Sequence, residues 1–127
     1  MAIKFHNPKT VSLAGKYSLG AEVPQGARLF YVSGQVGVDS RGKILDGIEK
    51  QVTQVFKNIG QVLKAGGMGF KDVVKVNVFL TDSRFIPTYR SVRDQFISEP
   101  YPASTLVIVA GLADPGMLVE IEVVAAK

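Results

Sequence analysis

The stretch Asp72-Val-Val-Lys-Val-Asn-Val-Phe-Leu-Thr81 decides the fold. Its side chains alternate, so it predicts a strand. Val74, Val76, Val78 and Leu80 fall on one face, and Val73, Lys75, Asn77 and Phe79 on the other. The last strand, predicted over 117–125, repeats the pattern: Val119, Ile121, Val123 and Ala125 oppose Leu118, Glu120, Glu122 and Val124. In both strands one face is purely apolar and belongs under a covering layer. The other mixes apolar and charged groups.

Working outward, the cover comes from two helices. Over 48–64 the apolar residues Ile48, Val52, Val55, Phe56, Ile59, Val62 and Leu63 form one stripe. Gly66-Gly67 ends that helix by offering the left-handed conformation of a C-cap. A second helix carries Phe85, Tyr89, Val92 and Phe96 on one face, with Asp82 or Ser83 as its N-cap. Pro87 is tolerated only in its first turn. Further strands are predicted over 3–6, 17–22, 28–36 and 103–110. Gly34 interrupts the third of these and suggests a bulge or a close backbone approach. Gly42, in the turn Asp39-Ser-Arg-Gly42, is placed for positive φ.

The order is β-β-β-α-β-α-β-β in a single domain over 1–127, an α+β fold. Two helices cover one face of a five- or six-stranded sheet and no more. Leu106-Val-Ile-Val-Ala110 is apolar on both faces, which predicts burial on both sides. Mean hydropathy is +0.19, apolar for a small monomer. The exposed sheet face therefore calls for another copy of the chain.

Composition narrows the chemistry. There is no Cys and one His. That excludes disulfides, thiolate metal sites, Fe–S clusters, a thiol nucleophile and a multi-His metal site in one chain. His6 is the only base available to a serine triad, and no Gly-x-Ser-x-Gly turn accompanies it. No cofactor or metal is expected. Fifteen basic against eleven acidic residues give +4, but the basic residues are scattered, which argues against nucleic acid. No apolar run approaches the ~18 residues of a membrane span, and the first residues lack a signal-peptide pattern, so a cytoplasmic protein is expected.

Each candidate residue also has a plainer structural role. Glu120 and Glu122 point the same way; one could orient water, or both could pair with Lys75 or an arginine across an interface. Ser104 and Thr105 could donate to a ligand or bond locally at a strand start. Gly34 could expose backbone groups or simply pack. Tyr17 could be a reactive phenol or a packed aromatic. Arg90 and Arg93 could clamp a carboxylate or be solvated helical charges.

The sequence resembles the RidA/YjgF family end to end. The motifs are Gly15-Lys-Tyr17, Phe30-Tyr-Val-Ser-Gly-Gln35, Leu63-Lys-Ala-Gly-Gly67, Val74 to Asp82, Tyr101-Pro-Ala103 and Leu118-Val-Glu-Ile-Glu122. The resemblance implies a chorismate-mutase-like fold and a homotrimer with small-molecule clefts between subunits. It also implies hydrolysis of reactive enamines and imines, with Glu120 positioning water, Tyr17 beside it and Gly34 offering backbone contacts. The family's substrate-gripping arginine belongs directly after the Pro-Ala pair. Here Ser104 stands in its place and Thr105 follows. Losing such a pair costs about 2–5 kcal/mol for a buried carboxylate. Arg90 is the residue expected to supply a relocated guanidinium. Two other readings stand beside this one: a non-catalytic binding or chaperone-like trimer, and an endoribonuclease. The latter finds no stacking platform in the sequence.

Overall fold

The computed structural model describes residues 2–127. Six strands and two α-helices follow in the order β1 (Lys4–His6), β2 (Gly20–Glu22), β3 (Leu29–Val36), α1 (Ile48–Ala65), β4 (Val73–Leu80), α2 (Ile86–Arg93), β5 (Ala103–Ile108) and β6 (Val119–Ala126). The fold is α+β, as the alternation and helical stripes require. The strands do not form one large sheet, however. β3-β6-β4-β5 make a four-stranded sheet, and β1 and β2 pair as a separate antiparallel ribbon. The expected strand over 17–22 shortens because Ser18 leaves the ribbon. It bridges Ala103 instead, and its N–H donates to Pro102 O at 3.0 Å.

α1 and α2 lie on one face of the sheet. Val52, Val55, Phe56, Ile59 and Leu63 of α1 pack with Val76, Val78, Leu80, Val119, Ile121 and Val123 in one contiguous core. At the end of α1, Gly66 and Gly67 N–H groups donate to Leu63 and Lys64 carbonyls at 3.0 Å, and Gly67 takes φ +73°. A side chain at Gly66 would run into the Phe30 ring. Asp82 caps as expected, but it caps a short 3-10 turn over Ser83–Phe85, accepting from Arg84 N–H at 2.9 Å. α2 then starts at Ile86 with Pro87 in its first turn, where the missing N–H costs nothing. Phe85 and Phe96 therefore flank the helix rather than sit within it.

Two bulges break the simple alternation. In β3 the pairing with β6 moves from Val32↔Val123 to Gln35↔Ile121, so one extra residue is taken up at Ser33-Gly34. The bulge expected at Gly34 is present. In β4 the pairing moves from Val73↔Ala125 to Lys75↔Val124. Val74 is the extra residue there. It is Val73, not Val74, that joins the core with Val76, Val78 and Leu80. Two adjacent valines gave the sequence no contrast from which to read this.

The segment expected to be buried on both sides is an edge instead. β5 has a single neighbour, β4, and ends at Ile108, with Val107 and Ile108 more than two-fifths exposed. On the uncovered face Tyr31 is 72% exposed.

Candidate functional site

Paired residues in a sheet share a face. Glu120 pairs with Val36 and Phe79, and Glu122 with Asn77, on the face that the helices leave open. A buried glutamine sets where β6 begins. Gln51 Nε2 donates to Leu45 and Gly116 carbonyls at 2.9 Å, and its Oε1 accepts from Leu118 N–H at 2.9 Å. Two residues on, the Glu120 carboxylate leans over the β3 bulge. A Cβ built on Gly34 would overlap it, lying 2.8 Å from Glu120 Cδ. Gly34 is thus the room in which Glu120's carboxylate sits. Lys75, the partner the sequence offered to these carboxylates, donates instead to Thr105 Oγ1 at 2.8 Å. Among the described residues neither Glu120 nor Glu122 forms an ion pair.

The remaining candidates gather elsewhere. Tyr17, Arg90 and Ser104 line one cleft of about 370 Å³ together with Lys16, Arg93 and Asp94. Ser18's bridge to Ala103 pins Tyr17 beside the start of β5. Ser104 pairs with Val76, so it lies on the helix side, whereas Thr105 pairs with Asn77 on the open side. Adjacent strand residues cannot serve one side of a sheet, and Thr105 does not enter the cleft that Ser104 lines. Arg90 is exposed at the cleft and has no ion pair among the described residues.

The candidates thus divide into two half-sites. Glu120 and Gly34 lie on the open face, on β6 and the β3 edge; Tyr17, Arg90 and Ser104 lie on the helix side at the β5 edge. Two strand spacings, roughly 10 Å, and the thickness of the sheet separate Glu120 from β5. The larger hollow that Gly34 borders, about 520 Å³, opens toward Gln54, Lys57 and Asn58 of α1 and includes none of the other candidates.

The cleft holds one group that the sequence did not single out. Tyr89 is 2% exposed, stacked on Phe56 with ring centres 6.3 Å apart, and its hydroxyl has no hydrogen-bond partner. An unpaired buried hydroxyl costs about 1–3 kcal/mol. Burial pushes its pKa up to about 12, against the opposing pull of the Arg93 charge. Arg93 lies over the Tyr89 ring, 5.8 Å from its centre, and donates to Asp94 Oδ1 at 3.0 Å. Lys16 Nζ reaches Asp94 Oδ2 at 3.0 Å. Those contacts hold Asp94 below the usual carboxylate range, the Lys16 hydrogen bond most of all. Helical periodicity assigned Tyr89 to the core and could not show that the same ring also lines a cleft.

A mixed four-stranded sheet with both helices on one side and a charged cleft at its edge defines a small α+β protein with a polar cleft at the sheet margin. The model of the Endoribonuclease L-PSP family matches residues 9–127, and the chain belongs to this family, that of the RidA/YjgF proteins. It is 36% identical over 119 residues to the human 2-iminobutanoate/2-iminopropanoate deaminase, covering 92% of this chain and 84% of that one. Among solved structures it is similar to RidA from the Antarctic bacterium Psychrobacter (38% identity, TM-score 0.76, 91% and 92% of the two chains). It is also similar to E. coli TdcF with bound serine (29% identity, TM-score 0.74, 91% of each chain). Among the described residues no helix is long and apolar enough to cross a membrane.

Proposed function

We propose that three copies of the chain close into a ring, and that each junction brings the Glu120–Gly34 half-site of one copy against the Tyr17–Arg90–Ser104 cleft of the next. The observation that carries this is the division itself: the two halves lie on opposite faces of one sheet and neither is complete alone. The exposed edge strand β5, with Val107 and Ile108, and the exposed Tyr31 supply apolar surface for the junction.

The reaction is hydrolysis of a small imine derived from an amino acid, the class named for the human relative. Water adds to the imine carbon, the carbon–nitrogen bond breaks, nitrogen leaves as ammonia, and a 2-oxo acid remains. Glu120 positions the water and takes its proton. Tyr17 and Ser104 hydroxyls hold the ligand, Gly34 leaves its backbone open to it, and Arg90 takes over the role of the family arginine. Thr105 lies on the other face of β5, where in the ring it supports Lys75 at the junction. The reaction is placed in the cytoplasm and calls on no nucleic acid.

The test is ammonia release from enamines generated in situ by a dehydratase, with Glu120→Ala as the control. Turnover that falls about a hundredfold or more in the variant supports the reading. Saturable binding of 2-oxo acids without turnover shows a binding trimer instead, and RNA cleavage that falls steeply with salt shows a nuclease. A sedimentation mass of one protomer at micromolar concentration overturns the composite site.

A further inference from the structure

The cleft has more binding capacity than a single carboxylate uses. Lys16, Arg90 and Arg93 face one acid, Asp94. Arg90 and Arg93 are one helical turn apart, a spacing that places their side chains side by side, about 5–6 Å between Cβ atoms. They are not equivalent. Arg90 is exposed and unpaired among the described residues, whereas the Arg93 side chain is 14% exposed, packed on Tyr89 and occupied by its neighbour Asp94. The ring it covers carries the Tyr89 hydroxyl, buried and without a partner.

We propose, resting on the composite-site reading, that the cleft takes a ligand with two carboxylate ends: one binds Arg90, and the other binds Arg93 and the Tyr89 hydroxyl, taking the place of Asp94. The exchange gives the orphaned hydroxyl an acceptor. A phenol held at a pKa of about 12 stays protonated at neutral pH and acts as a donor. The substrate is then an imine of an acidic amino acid, larger than the 2-imino acids in the names of the relatives.

The test is titration calorimetry with two stable 2-oxo acids as probes, 2-oxoglutarate and 2-oxobutanoate. The expected result is a dissociation constant at least tenfold lower for 2-oxoglutarate, with that ratio falling below twofold in Tyr89→Phe and in Arg93→Gln. Tyr89→Phe keeps the ring on Phe56, so it reads the hydroxyl without disturbing the packing. A wild-type ratio near one, or a ratio that survives Tyr89→Phe, overturns the dicarboxylate inference and leaves the composite site standing. If neither acid binds, both fall.

Discussion

Along β6, Val119, Ile121, Val123 and Ala125 are shut away from water, while Glu120 and Glu122, one step off, face the uncovered side without ion-pair partners among the described residues. The same strand thus serves two surfaces of different character. On the helix side almost every group is spoken for, from the aromatic stack of Phe56, Phe96 and Tyr89 to the three hydrogen bonds of Gln51. On the open side Glu120 is half-buried and Glu122 exposed, and neither has an ion-pair partner among the described residues. The comparison teaches that along β6 the residues that fold the protomer and the glutamate proposed for the chemistry are separated by strand parity.

That separation can be broken by experiment. The largest effect belongs to the closed face: Phe56→Ala is expected to cost about 3–5 kcal/mol in urea unfolding, since Phe56 is fully buried among three other aromatic rings. Glu120→Ala tests the open face. Imine turnover is expected to fall about a hundredfold, while stability moves within ~0.5 kcal/mol. A large loss of stability in that variant would show that the two faces are not independent.

Tyr89 sits where the two regimes meet, and pH exposes it. Its pKa is raised in the folded state from 10.0 to about 12. Folding stability is insensitive to this group below pH 10 and falls as pH climbs toward 12, where the unfolded phenol has already ionised. The loss is about 2–3 kcal/mol and reads as a downward slope in alkaline unfolding curves. Tyr89→Phe is expected to flatten that slope. The smallest effect is at neutral pH, where Tyr89→Phe gains about 1 kcal/mol by removing an unpaired buried hydroxyl. A variant more stable and less selective would mark the hydroxyl as kept for a ligand rather than for the fold.

Much of the fold was legible in the residues. The alternation of β4 and β6, the stripe of α1 and its glycine stop, and the bulge at Gly34 all follow from local pattern. What escaped the pattern depended on partners distant in sequence. Nothing in Val73-Val74 says which valine is the extra one. Leu106 to Ala110 reads as a doubly buried strand because an apolar edge strand has the same composition as a central one. The split between Ser104 and Thr105 was readable from strand parity, since one residue flips the face. That Tyr89 lines a cleft as well as the core was not, because its ring serves both.

Gly34 and Glu120 lie far apart in sequence yet share one volume of space. A side chain at 34 would push the Glu120 carboxylate off the β3 bulge. Because that carboxylate ends a flexible side chain, the fold absorbs the change while the carboxylate loses its place.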